Sequence, residues 1–273
     1  HKKWNITDFT EFELAITIDR PELYYDFLQK DWTRFCHDYW KNNFLEHHTL
    51  SKKRVTRIYI GNQFCHNLFP KKKLLFQVLE KALENNLAVT LAFSYIRNHL
   101  LEEIDELLQE LEVWCQSREK EAGKEQEEII VNDWAMPILL QGKPHLKPVL
   151  GVLLNKRRKD VRLPYKHGIG NHVDSLAENN LNCGFYQDYL KNTFDIQRFE
   201  FESCGYKVTI PDGHHSLHLP FFQTNTSQYC TLYAVCRYGD RGKQKLPENC
   251  PRYCNKKVFL YPKHLKMVGR YNS

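Results

Sequence analysis

Apolar runs along the first 155 residues predict strands that alternate with helices. Residues 55–61 are β-branched and alternate in polarity, as expected of a strand, whereas residues 87–93 are almost continuously apolar. A continuous run of this kind is typical of a parallel strand that is covered on both faces. Further strands are predicted at residues 14–19, 128–132 and 148–154.

Apolar residues at helical spacing predict the helices between these strands. One helix starts near Pro21 and continues to Trp40, a second follows Pro70, and a third is capped by Asn98. The charged segment 116–127 is predicted to be a loop. Shorter helices are expected at residues 135–141 and 186–194.

The alternation of strands and helices predicts an α/β fold built on a parallel sheet. The sequence has no Gly-rich dinucleotide fingerprint, so we prefer a parallel β/α barrel-like arrangement, an incomplete or distorted TIM-type barrel, with a Cys-rich C-terminal segment. We expect an N-terminal strand and helix that form part of the barrel, a β/α core and a Cys-rich segment, at residues 1–54, 55–229 and 230–273.

The alternation of elements ends after residue 155. Residues 156–184 are basic and then rich in Gly, Asn and His, which predicts a long loop. Two strands are expected at residues 198–202 and 206–210. The segment that holds His214, His215 and His218 is predicted to be another strand rather than a metal site. The last predicted strands are residues 258–261 and 267–269.

The main candidate chemistry lies between Cys230 and Cys254, where four of the nine cysteines fall within 25 residues with the spacing C-x5-C-x13-C-x3-C. Thiolates are ligands of zinc and of iron–sulfur clusters. Cys250 and Cys254 are close enough in sequence to reach one centre. Cys65, which follows the strand 55–61, is a candidate for a distant fourth ligand, because ligands bind at the carboxyl ends of parallel strands. The alternative is a set of buried or unliganded thiols.

Composition narrows the class of protein without identifying a partner. The net charge of +6 is mild, so a solvated basic surface is expected, with an anionic small molecule or RNA as less favoured ligands that the sequence does not distinguish. No apolar run is long enough for a membrane span. An odd number of cysteines in a chain of 273 residues favours reduced thiols and predicts a cytoplasmic protein.

Three polar residues at predicted strand ends are candidates for substrate binding: Asn132, Asp133 and Asn155. They fall on the edge that Cys65 also occupies, and helix capping is an equally good explanation of them. The basic run that follows, Lys156 to Lys159, is either an anion-binding segment or a solvated loop, and we favour the loop.

Several short motifs occur in an order that resembles one protein family. They are IYIGN at residues 58–62 with Cys65, IVNDW at 130–134, LGVLLN at 150–155, and then Cys230 with the pair Cys250 and Cys254. Over residues 55–255 the chain resembles the collagenase-like U-type peptidases. It is most similar to the iron–sulfur branch that takes part in oxygen-independent ubiquinone hydroxylation.

The resemblance implies a [4Fe-4S] cluster at the open end of a β/α barrel, with Cys65, Cys230, Cys250 and Cys254 as its ligands. Cys236 would then be an additional thiol. The implied function is a hydroxylation or modification system that works with a redox partner or a paired homologous subunit. The alternatives are a non-catalytic accessory protein stabilised by zinc or a cluster, and a peptidase, which is less favoured because the peptidase signature is absent around residues 199–205.

Overall fold

The structure is a computed structural model, and its chain falls into two compact units. The described residues are 12–122, 127–157, 177–203, 207–219, 229–243, 245–247, 249–256, 258–260 and 268–270. The first unit is made of residues 1–62, 68–130 and 138–147. The second unit is made of residues 63–67, 131–137 and 148–273. Each unit is described by itself below.

Five strands form a parallel sheet in which the spatial order follows the chain order. Ile58 lies in the second strand and pairs with Ile16 on one side and Val89 on the other. The predicted α/β fold with a parallel sheet is therefore confirmed. The strands are β1 (Leu14–Ile18), β2 (Val55–Gly61), β3 (Ala88–Ala92), β4 (Glu127–Val131) and β5 (Leu146–Leu150).

Five helices follow these strands along the chain: α1 (Pro21–Gln29), α2 (Trp32–Asn42), α3 (Lys72–Glu84), α4 (Leu101–Ala122) and α5 (Ala135–Leu139). The prediction of one helix from Pro21 to Trp40 is wrong. The backbone becomes extended at Lys30, and the side chain of Asp31 accepts a hydrogen bond from the amide of Arg34 at 2.9 Å. This cap starts a separate helix.

The predicted loop at residues 116–127 is also corrected, because α4 continues to Ala122. Arg118 forms an ion pair with Glu80 of α3 at 3.2 Å, and its guanidinium lies over the ring of Trp114. Glu, Lys and Ala, which fill this segment, have high helix propensity. A charged composition therefore belongs to a helix rather than a loop at residues 116–122, while residues 123–126 lie outside the described ranges.

The core of the first unit lies around β2 and β3, where Ile58, Ile60 and Leu91 are fully buried. The end of β2 requires a glycine. Gly61 has a φ of +113°, and a Cβ atom there would lie 2.5 Å from the carbonyl oxygen of Ala92. Both the backbone conformation and the close approach exclude a side chain.

The described part of the second unit includes the helices α6 (Gly184–Phe194) and α7 (Thr231–Tyr238) and two small sheets. Two parallel strands of one sheet, β6 (Glu200–Glu202) and β7 (Ser216–His218), pair with each other, while β8 (Val258–Leu260) and β9 (Val268–Arg270) are antiparallel. No helix of the described residues is both long and apolar enough to cross a membrane.

The strand predicted at residues 206–210 is wrong for the part that the structure describes, residues 207–210. Instead of joining a sheet, Thr209 donates its amide to the carbonyl of Ala177, and its own carbonyl accepts hydrogen bonds from Asn179 and Asn182. The segment is largely exposed, so a β-branched composition alone did not make it a strand.

Candidate functional site

Cys230 directly precedes α7, Cys254 lies in the short helical turn Tyr253–Lys256, and Cys250 precedes that turn. Cys230 is the N-cap of α7, where its sulfur accepts a hydrogen bond from the amide of Tyr233 at 3.3 Å. Tyr233 also contacts Tyr253 with 6.2 Å between ring centroids, which packs α7 against the turn that carries Cys254.

The fourth candidate, Cys65, belongs to the same unit although it is 165 residues away from Cys230 in sequence. It follows β2, next to the short turn His66–Leu68, and is half-buried. The predicted position of Cys65 just past a strand end is therefore confirmed.

The thiol of Cys254 reports that the four cysteines are neighbours. Burial raises the pKa of Cys254 to about 11, and the negative charges of Cys65, Cys250 and Cys230 act in the same direction. The structure thus brings together residues from remote parts of the chain in one electrostatic neighbourhood. Cys36 and Cys115 differ from this set, because burial is the largest cause of their raised pKa values of about 12 and no other cysteine contributes.

The donor set fits a thiophilic metal or an iron–sulfur cluster. The eight cysteines in the described ranges are thiols rather than disulfides; Cys204 lies outside those ranges. Metal binding would release the thiol protons and stabilise the resulting thiolates. Within the same ranges, no three Cys, His, Asp or Glu side chains are already arranged at metal-binding geometry. The ligand role of the four cysteines therefore stays a prediction.

A second group of polar side chains in this unit is centred on Gln63. Its Oε1 accepts hydrogen bonds from Nδ2 of Asn132 at 3.3 Å and from the amide of Val152 at 3.5 Å. Asn132 in turn accepts the amide of Leu153 at 3.2 Å. Gln63 and Asn132 are both buried. These amides hold the segment that follows β5 against the loop that carries Cys65.

Gln63 also connects to an ionisable pair, because its Nε2 lies 3.4 Å from Nε2 of His218. The same ring nitrogen of His218 is hydrogen-bonded to the carboxylate of Glu200. Glu200 is fully buried, and Arg198 lies 3.9 Å from its other oxygen. Burial acts to lower the pKa of His218, but the Glu200 carboxylate outweighs it, and the pKa is raised.

The three predicted substrate-binding residues have different roles in the structure. Asp133 accepts hydrogen bonds from the amides of Ala135 and Met136 at 3.0 and 3.1 Å, so it caps α5. Asn132 belongs to the Gln63 network. Asn155 donates to the carbonyl of Glu200 at 3.1 Å, while its Oδ1 is buried without a hydrogen-bond partner among the described residues.

The basic run after Asn155 is bound to the protein's own carbonyl groups where it is described. Lys156 donates to the carbonyl of Leu153 at 2.6 Å, and Arg157 donates to that of Glu202 at 2.9 Å. Arg158 and Lys159 lie outside the described residues. Lys156 is nevertheless exposed and Arg157 is half-buried, so the choice between a solvated loop and an anion-binding segment stays a prediction.

The sequence interpretation did not single out Gln63, Glu200 or Glu202. A usable signal was present, because residues two apart on a strand share one face, and Glu200 and Glu202 put two carboxylates on one face of a predicted strand. Both are buried, and a buried carboxylate requires partners. Gln63 had the same strand-end position as Asn132.

Comparisons of the chain with protein-family models, with curated proteins and with solved structures give no match. The likeness to the collagenase-like peptidases therefore stays a hypothesis that depends on the motifs themselves.

Proposed function

We propose that this chain is an iron–sulfur protein of the collagenase-like peptidase family, with a [4Fe-4S] cluster held by Cys65, Cys230, Cys250 and Cys254. It acts in an oxygen-independent hydroxylation or modification system in the cytoplasm, together with a redox partner or a paired homologous subunit. The observation that supports this proposal is that Cys65, Cys230 and Cys250 lie within electrostatic range of Cys254 in the same unit.

The proposal includes a barrel-like continuation of the parallel strands. The five-stranded sheet has no reversal of strand order, unlike a doubly wound sheet. In the second unit, Leu150 of β5 forms a parallel bridge with Phe199, directly before β6, and β6 pairs in parallel with β7. A run of parallel strands that each neighbour the next is the arrangement of a β/α barrel.

The number of thiolate ligands determines what the cluster can do. A bound [4Fe-4S] cluster with four cysteine ligands supplies electron transfer or structural support. The chain's own contribution is to hold Cys230 at the start of α7 and Cys254 in the packed turn beside it. Because four thiolates also suit zinc, a zinc-stabilised accessory protein is the second candidate.

The decisive experiment is anaerobic purification of the wild-type chain, followed by visible absorption spectra and by iron, sulfide and zinc analysis. We expect a brown protein with iron and sulfide in equal amounts. The Cys65→Ala variant should lose most of its iron, because one of the four ligands is gone. Cys183→Ala is the matched control, since Cys183 is exposed and lies at the start of α6.

The outcomes separate the two candidates. Zinc without iron or sulfide would favour the accessory protein. Wild-type iron content in Cys65→Ala would exclude Cys65 from the ligand set and contradict the assignment made here.

A further inference from the structure

The second unit contains a polar cluster that the cysteine site does not use. It consists of Gln63, Asn132, Asn155, Glu200 and His218, which the hydrogen bonds described above connect. Four of these side chains belong to buried residues, and the ring of His218 is 22% exposed. The cluster therefore reaches the surface of the unit at a histidine.

Asn155 indicates that the cluster lacks one hydrogen-bond donor. The residue is only 3% exposed, and Nδ2 is used by the carbonyl of Glu200. Its Oδ1 has no partner within the described part of the chain. A buried acceptor without a donor is unfavourable, so Oδ1 requires a donor, and a bound molecule can supply it.

His218 adds an electrostatic preference for a ligand atom with partial negative charge near Asn155. Asn155 contacts the backbone carbonyl of Glu200, and His218 contacts the carboxylate of Glu200. Both side chains therefore contact the same residue of β6. The pair with Glu200 raises the pKa of His218 against the effect of burial. A ring that carries positive charge attracts an oxygen atom of a ligand beside it.

We propose that this cluster binds a small neutral molecule with a carboxamide-like edge, in which an N–H group donates to Oδ1 of Asn155 and the neighbouring carbonyl oxygen faces His218. Carboxamides, lactams and imides share this edge. None of the groups in this polar cluster is a cysteine, so the proposal does not require a bound metal or iron–sulfur cluster.

Acetamide and N,N-dimethylacetamide test this proposal on the wild-type chain without any variant. Both probes carry the carbonyl oxygen, and only acetamide carries the N–H donor. The readout is the ring ¹H–¹³C NMR signal of His218, assigned from its absence in His218→Gln. We expect acetamide to shift this signal in a saturable way, and N,N-dimethylacetamide to shift it at least fivefold less at the same concentration.

His145 provides an internal control in the same spectra. It forms a similar pair with a carboxylate, with 2.5 Å between its Nδ1 and Oε1 of Glu112, but it belongs to the first unit. Its signal should stay unchanged with either probe. Asn155→Leu should reduce the response of His218 to acetamide to the level of the dimethylated probe.

Equal responses to the two probes, or no response of His218 to either, would overturn the proposal. So would a response to acetamide that His145 shares. The NMR titration does not depend on the metal analysis described above. The carboxamide site and the cysteine-bound cluster can therefore be tested separately.

Discussion

Each unit of the molecule contains a buried polar network, and the two networks are built differently. In the first unit, Nη1 of Arg57 donates to Glu128 at 2.8 Å and to the hydroxyl of Thr90 at 3.1 Å. Thr90 also donates to Glu128 at 2.7 Å, and Nε of Arg57 donates to Glu13. One permanent cation is thus enclosed by carboxylates and a hydroxyl.

The network of the second unit contains neutral amides and a pair that can exchange a proton. His218 replaces the permanent cation, and its charge depends on pH. Asn155 keeps an acceptor without a partner in the described residues, whereas the Arg57 network directs its donors onto acceptors. We infer that the first network stabilises the fold. The second network is less stabilising, because it keeps polar atoms available to a ligand.

The largest expected effect that follows from this comparison is at Arg57. Arg57→Met should lower the free energy of unfolding by about 3–5 kcal/mol, because it leaves the carboxylate of Glu128 buried without its cation. The side chains of Arg57 and Glu128 are only 12% and 11% exposed. Urea unfolding followed by circular dichroism measures the change.

Arg118→Met is the matched control for this prediction. Arg118 pairs with Glu80, but Glu80 is 53% exposed, so the loss should be below about 1 kcal/mol. Similar losses in the two variants would mean that the Arg57 network contributes no more than a surface ion pair.

A smaller effect, which depends on pH, is expected at His218. Its folded-state pKa is raised, chiefly because the attraction of Glu200 exceeds the opposing effect of burial. The stabilisation is therefore complete below the unfolded-state pKa of about 6.5, and it is lost as the pH rises through the folded-state pKa. His218→Gln should cost about 1–3 kcal/mol at the acid end of this window and less at the alkaline end.

Urea unfolding of the wild type and His218→Gln at pH 6 and pH 9 measures this difference. Glu200→Gln removes the carboxylate that raises the pKa of His218. In that background, the stability cost of His218→Gln should therefore differ less between pH 6 and pH 9. A stability difference that grows with pH would contradict the sign of the pKa shift.

The same comparison explains how far the sequence could predict the molecule. The strand core could be predicted because β2 and β3 carry β-branched and apolar runs whose period is set by the sheet. The position of Cys65 just past a strand end was expected from the apolar run before it, whereas its role as a ligand beside the Cys-rich segment stays a prediction. The break at Asp31 was missed because a capping residue interrupted an otherwise continuous apolar stripe.

The Gln63 network, which includes His218, could not be predicted in the same way. Its members, among them Gln63, Asn132 and Glu200, come from separate strand ends, and no local spacing relates them. Polar residues at strand ends have two common uses, in caps and in sites, and a single sequence does not separate these. Whether such a residue caps a helix or forms a site depends on which backbone groups lie within hydrogen-bond distance of it after folding.

Asp133 gives the smallest predicted effect and separates those two uses directly. Oδ1 of Asp133 accepts hydrogen bonds from two amides of the helix that it precedes. Asp133 is therefore a helix cap, although it directly follows Asn132 in sequence. Asp133→Ala should cost about 1 kcal/mol, and Asp133→Asn should cost only a few tenths, because asparagine also caps helices. Thermal and urea unfolding measure both changes. In the acetamide titration, both variants should bind as the wild type does. A loss of acetamide binding in Asp133→Asn, with stability unchanged, would move Asp133 from the group of caps to the group of ligand-binding residues.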